Sequence, residues 1–209
     1  KRSDGLVNED VRKVLRADDG VLWLATRDGL ASFDANGFAQ WTGRDGLLNR
    51  DGTLAAAGSV KELSNEGIWF SSAGRIWRCD GERITRVEAL AAMGGASDMY
   101  RAADGTIWFI GDGLWKYDRG VLLKVEHFSD VRKLDGDAQG NIWIGTNDGL
   151  WRYNPKTGEK QSFTTADGLP HNSVTPVRRG LGDTMWVGSY DGLAQFDGTR
   201  ITNVLQGKS

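Results

Sequence analysis

The chain has 209 residues, a formal net charge of −2, nine Trp, 29 Gly and only 3 Pro. That balance gives no basic footprint for nucleic acid or an anionic membrane, and the single cysteine, Cys79, excludes an internal disulfide. No apolar run approaches the roughly 18–20 residues of a membrane span. Many glycines and aromatics with almost no helical periodicity point instead to an all-β chain of short strands and tight turns.

Taken in order, the chain repeats one phrase five times. It opens at Asp4-Gly5-Leu6, a tripeptide that returns as Asp45-Gly46-Leu47 and Asp167-Gly168-Leu169. An opening inside a repeat-like phrase gives the expectation that this is a piece of a longer protein, with its address and output module outside it. Asp10 to Ala17 read as a first strand, Val21 to Thr26 as a second, Leu30 to Phe33 as a third and Gly37 to Thr42 as a fourth, with turns at Asp18-Asp19-Gly20 and Arg27-Asp28-Gly29. The second copy is degenerate. Its first strand lies near Thr53 to Leu63, its hairpin spans Gly67 to Arg78 about Ala73-Gly74, and Arg83 to Val87 close it. Val87 to Met93 is the one helical candidate, two turns at most, stopped by Gly94-Gly95.

The third copy reads as Asp98 to Ala102, Thr106 to Ile110, a hairpin shortened at Gly111-Asp112-Gly113, Leu114 to Tyr117 and Val121 to Val125. The fourth runs from Asp130 to about Thr165 and holds the clearest version, Asn141-Ile142-Trp143-Ile144-Gly145-Thr146-Asn147-Asp148-Gly149-Leu150-Trp151-Arg152-Tyr153-Asn154. The fifth runs from Ser173 to Val204. Asp-Gly between two apolar runs predicts a hairpin with a type I′ turn. Trp23, Trp69, Trp108, Trp143 and Trp186 occupy one repeat position, separated by 46, 39, 35 and 43 residues. About ten positions after each comes Phe33-Asp34, Cys79-Asp80, Tyr117-Asp118, Tyr153-Asn154 or Phe196-Asp197.

A period near forty with strand-turn-strand content is the signature of propeller blades. Second strands such as Ile107-Trp108-Phe109-Ile110 are apolar on both faces, as blades stacked on both sides require. The expected architecture is a β-propeller of about five four-stranded antiparallel blades, at residues 5–43, 44–88, 96–127, 128–166 and 167–205, closed or part of a larger ring. No spare strand remains to lock such a ring. The terminal blades would then offer apolar faces, with a homodimer as one outcome. The five repeated Trp are expected to be buried packing residues, and Cys79 a buried hydrophobe.

The phrase Asp167-Gly168-Leu169-Pro170-His171-Asn172-Ser173-Val174, with Met185 to Leu193 after it, resembles the two-component regulator propeller repeat, as does Gly140 to Leu150. The resemblance is strong in the first, fourth and fifth copies and weak in the second. It implies the periplasmic sensor region of a membrane-anchored histidine kinase, hybrid regulator or diguanylate cyclase, attached to the membrane only through segments outside this chain. Five blades is fewer than that family's usual seven or fourteen. Gly67-Ile68-Trp69-Phe70 also echoes streptogramin lyases, whose chemistry needs His and Glu clusters; this chain has only His127 and His171. No Trp-Asp dipeptide supports a WD-repeat reading.

Candidate chemistry is sparse. Asp135-Gly136-Asp137-Ala138-Gln139-Gly140 has the alternating oxygens of a calcium loop, but Thr146 stands where the bidentate Glu belongs, and the segment coincides with a hairpin turn. Gly111-Asp112-Gly113 lacks the rest of a dinucleotide fingerprint. No Ser has His and acid partners at recognisable offsets. The expectation is therefore a non-catalytic sensor without metal or cofactor, its ligand a small molecule, an oligosaccharide or a protein, and not a nucleic acid. In a four-stranded blade, the turn between strands two and three lies on the same face as the connection to the next blade. Residues there that differ between copies, Arg27, Arg44, Asn147, His171 and Tyr190, are the candidate ligand-binding residues. The alternatives are a propeller enzyme of lyase or hydrolase type using that face, or a protein-interaction scaffold.

Overall fold

A computed structural model describes residues 5–49, 51–63 and 67–206. The chain divides into two compact units, Lys1–Ala96 and Ser97–Ser209. The described residues form five four-stranded antiparallel sheets, each built from strands consecutive in the chain, which are the blades of a β-propeller fold.

The first unit holds blades one and two. Blade one is β1 (Val11–Arg16), β2 (Leu22–Thr26), β3 (Gly29–Asp34) and β4 (Gly37–Trp41); blade two is β5 (Ala57–Glu62), β6 (Ile68–Ser72), β7 (Arg75–Cys79) and β8 (Ile84–Arg86). The second unit holds three more. They are β9 (Asp98–Arg101) to β12 (Val121–Glu126) with β10 (Ile107–Ile110) and β11 (Leu114–Asp118), then β13 (Lys133–Gly136), β14 (Ile142–Thr146), β15 (Gly149–Tyr153) and β16 (Lys160–Phe163), then β17 (Val174–Arg179), β18 (Met185–Ser189), β19 (Gly192–Phe196) and β20 (Ile201–Gln206). Among the described residues no helix is long and apolar enough to cross a membrane. The segment Glu88–Met93 is a 3-10 helix, not an α-helix, ended by Gly94 in the left-handed region.

Period-two alternation gives each blade two working faces. In blade four, Asp135, Trp143, Arg152 and Gln161 lie opposite one another across the four strands and form one row. Trp143 stacks on Phe163 of its own blade at 5.6 Å and meets Phe196 of blade five at 4.8 Å. Leu134 and Ile144 of the other face are fully buried in the cluster that holds Trp108 of blade three. Trp108 in turn meets Tyr153 edge-on at 6.0 Å. Thus the repeated Trp of one blade faces the residue ending the third strand of the next.

Trp23, Trp69, Trp108 and Trp143 are buried, and Trp186 is only half-buried. The sequence puts Trp186 in the same position as the others, so the expectation of burial holds for four of the five.

The turns correct the sequence reading. Thr26 pairs with Gly29, Thr146 with Gly149 and Ser189 with Gly192, so the two loop residues are Arg27-Asp28, Asn147-Asp148 and Tyr190-Asp191. None of these six has positive φ, so the turns are not type I′. The hydroxyl of Thr146 donates to the Gly149 carbonyl at 2.9 Å and accepts from the Asp148 N–H at 3.1 Å, and Thr26 does the same in blade one. Glycine begins the next strand instead, at φ 133° in Gly149, where an added Cβ would lie 2.5 Å from the Phe163 carbonyl oxygen. Ala73-Gly74 in blade two, at φ 53° and 68°, does have the positive pair of a type I′ turn, as does Arg119-Gly120 between β11 and β12, at 47° and 85°.

The Asp-Gly-Leu phrases at 45–47 and 167–169 end one-turn 3-10 segments. Thr42 and Asp45, like Thr164 and Asp167, form a reciprocal capping box, Gly46 and Gly168 take left-handed φ, and Leu47 and Leu169 plug into the core. These rigid connectors carry the chain from blade one to two and from four to five.

Candidate functional site

In the first unit, Arg27 sits exposed on the β2–β3 turn beside Asp28, whose carboxylate accepts from the Asn8 amide at 2.6 Å. Arg12, Arg27, Asp28, Asn49, Thr53 and Leu54 line part of an open groove of about 860 Å³. Arg44, on the capped connector, is exposed and stands outside that groove. The two arginines are therefore not gathered into one site.

The second unit brings its three candidates together around Ser173. Asn147 Oδ1 accepts from Arg132 Nε at 2.8 Å and from Ser173 Oγ at 3.4 Å. The Ser173 N–H donates to His171 Nδ1 at 2.9 Å, and the Tyr190 N–H donates to the Ser173 carbonyl at 3.2 Å. The His171 and Tyr190 rings lie 5.6 Å apart at 51°. The connector upstream is held by Asn172 Oδ1, which accepts from the Thr165 N–H at 2.8 Å. Because Nδ1 accepts, neutral His171 carries its proton on Nε2 and keeps that donor for another partner. Tyr190 is 84% exposed, a large aromatic held at its backbone and open on its ring.

Arg132 was missed by sequence reasoning, since it precedes β13 in a segment with no repeat signature; its neighbour in the chain order of blades, not its spacing, places it. Ser173 is a hub that bonds the side chains of Asn147 and His171 and, through its carbonyl, the Tyr190 backbone N–H, a role that no motif of the sequence signals. The set offers one aromatic face, an amide, a guanidinium and an imidazole N–H: donors and a stacking surface for a polar ligand.

The calcium-like segment has another use. Asp137 accepts from the N–H groups of Gln139 and Asn141, from the Asn141 amide and, at 2.8 Å, from Trp143 Nε1. Its oxygens are consumed in closing the turn and orienting the central Trp. Among the described residues no group of three or more His, Cys, Asp or Glu is placed to hold a metal ion. The Gly111–Gly113 hairpin is likewise structural: Asp112 accepts from Trp115 Nε1 at 2.8 Å and Lys124 Nζ at 2.7 Å, and these bonds hold its carboxyl below the usual range.

No family profile and no curated protein matches the sequence. Solved structures do match its fold. The extracellular domain of a hybrid two-component system from B. thetaiotaomicron aligns over 97% of this chain at TM-score 0.77 and 15% identity. Virginiamycin B lyase from Staphylococcus aureus aligns over 97% at TM-score 0.77 and 18% identity, and a gluconolactonase from Xanthomonas campestris over 96% at 0.67 and 13%. The chain spans 30% of the length of the first of these, and 73% and 77% of the other two. At such identities the likeness establishes the β-propeller fold, shared by sensor domains and by enzymes.

Proposed function

We propose that this chain is a ligand-sensing propeller segment of an extracytoplasmic signalling protein, and that its ligand meets the face carrying Asn147, His171 and Tyr190. The observation that carries the reading is the convergence on Ser173 of the Asn147 and His171 side chains and the Tyr190 backbone N–H, from three different loops, with the Tyr190 ring left open beside the His171 imidazole. The repeat phrases and the fold shared with an extracellular domain of a hybrid two-component system support the setting. An exposed aromatic flanked by amide, guanidinium and imidazole donors suits a saccharide, which stacks its C–H face on a ring while its hydroxyls take the donors.

The test is a ligand-observed NMR screen of the chain against neutral and uronic oligosaccharides, with amino acids as the contrast set. Saccharide binding that disappears in Tyr190→Ala and weakens in His171→Ala supports the reading. Binding unaffected by both substitutions, or none at millimolar concentrations, overturns it. The enzyme alternative is favoured by the likeness to a lyase and a lactonase and uses the same face; turnover of a bound saccharide or lactone, lost in His171→Ala, would replace the sensor reading.

A further inference from the structure

Blades three and four close their first hairpin in the same way. The Ala102 N–H donates to the Thr106 carbonyl at 2.8 Å, and the Ala102 carbonyl accepts from the Gly105 N–H at 3.0 Å. Asp137 makes the same pair of bonds with Asn141 at 3.1 Å and Gly140 at 3.3 Å. Ala102 therefore stands in blade three where Asp137 stands in blade four. The Asp137 carboxylate does two things there: one oxygen takes the Asn141 N–H at 2.8 Å, and the other takes Trp143 Nε1 at 2.8 Å. In blade three the first task passes to Asp104, whose Oδ1 accepts from the Thr106 N–H at 2.9 Å. The second is left undone, because alanine carries no acceptor.

Trp108 is only 3% exposed, yet its Nε1 has no hydrogen-bond partner among the described residues. Nor is that atom sealed in protein, because a cavity of about 270 Å³ reaches the ring. The cavity wall is mostly apolar and includes Ala102, Ala138 and Pro155, so it contains the room that an Asp side chain would fill at Ala102. Lys116, Lys156 and Asp104 also line it, two cations against one carboxylate. All of these residues belong to the second unit. They lie at the end of the blades opposite the Asn147-Asp148 turn, away from His171 and Tyr190.

We propose that this cavity between blades three and four binds a small apolar monocarboxylate, whose carboxylate accepts from Trp108 Nε1 as Asp137 does from Trp143. The ligand class follows from the repeat itself. Blade four shows that a carboxylate oxygen fits beside the indole at this position, and blade three offers the same indole with the acid removed. A buried donor without a partner favours a ligand that brings an acceptor. The excess of Lys116 and Lys156 over Asp104 selects an anion over a neutral amide or alcohol. The body of the ligand then lies against Ala102, Ala138 and Pro155, a wall that suits hydrocarbon better than a chain of hydroxyls.

The test is a benzoate titration of the isotope-labelled full chain at fixed ionic strength, read on the tryptophan indole N–H signals by two-dimensional NMR. The expected result is a saturable shift of the Trp108 indole signal at millimolar benzoate or below, with no shift from benzamide. Ala102→Asp writes the blade four acid into blade three. It should abolish the benzoate response and raise the melting temperature, since the new carboxylate takes the same indole. Lys116→Gln removes a half-buried cation. It should weaken binding by about two- to fivefold, the range of a solvent-screened ion pair, and it decides the matter if Ala102→Asp fails to fold. No Trp108 shift at tens of millimolar benzoate overturns the proposal, and so does an equal response to benzamide. Benzoate binding that persists in folded Ala102→Asp, or that is unchanged in Lys116→Gln, overturns it too.

Discussion

The contact between blades one and two and the contact between blades four and five fill one space with different side chains. In the second, Trp143 is flanked by Phe163 from strand four of its own blade and Phe196 from the next. In the first, Trp23 stacks at 5.2 Å on Trp41, which holds the register of Phe163, and Cys79 takes the place of Phe196. One interface is Trp, Phe and Phe; the other is Trp, Trp and Cys. A larger ring on one side partly offsets a smaller residue on the other, so the two interfaces fill the same place in the repeat with different residues. Close packing requires no more than that. It also explains why the second copy reads as degenerate while its sheet is as regular as the others.

The largest effect tests the element both interfaces share. Trp143→Ala removes a fully buried ring that also satisfies Asp137, and should cost about 3–5 kcal/mol of stability in denaturant melts. Trp186→Ala, at the same repeat position but only half-buried, should cost roughly 1–2 kcal/mol, in keeping with the smaller area removed from water. Equal losses at the two sites would mean that position in the repeat, not the neighbouring blade, sets the contribution.

The next effect tests compensation. Cys79→Phe forces a ring into a space Trp41 already fills, and should destabilise by about 1–3 kcal/mol. Trp41→Phe alone leaves a void and loses the bond from Trp41 Nε1 to the Glu82 carbonyl. Together the two substitutions rebuild the blade four composition. The double variant should be more stable than the sum of the single losses predicts, by about 0.5–3 kcal/mol in a double-mutant cycle. Strict additivity would show that the two residues do not share one cavity. The wild-type thiol sharpens the same point: burial pushes Cys79 up to about 11, so thiolate is scarce at neutral pH and a polar thiol reagent should label the folded chain far more slowly than the unfolded one.

Much of this was legible in the sequence because it is local and repeated. Trp positions, strand limits and the stop at Gly94 follow from alternation, glycine and a fixed period. The turn type was not legible, since Asp-Gly looks the same whether Gly lies inside the loop or begins the next strand; the Thr hydroxyl and the close carbonyl of strand four decide it. The partial exposure of Trp186 was not legible either, because burial depends on what lies beyond the sheet. Grouping Asn147, His171 and Tyr190 on one face followed from strand order alone, but Arg27 and Arg44, chosen by the same rule, do not share a groove. Strand order specifies a face; side-chain bonds such as those to Ser173 specify a site.

The smallest expected effect on stability belongs to Tyr190, and its smallness is the point. Unlike Trp143, the Tyr190 ring is solvated on most of its surface, and what fixes the residue is its backbone N–H to the Ser173 carbonyl, which any side chain keeps. Tyr190→Ala should therefore change the unfolding free energy by no more than about 0.5 kcal/mol, the range of surface substitutions. An aromatic that contributes so little to the fold and yet is held in place by a buttressed loop is available for recognition. Calorimetric melting of Tyr190→Ala beside saccharide titration separates the two roles: an unchanged melting temperature with lost binding assigns the ring to the ligand. A large drop in melting temperature would assign it to the fold, and the face would lose the residue on which the proposed sensing role rests.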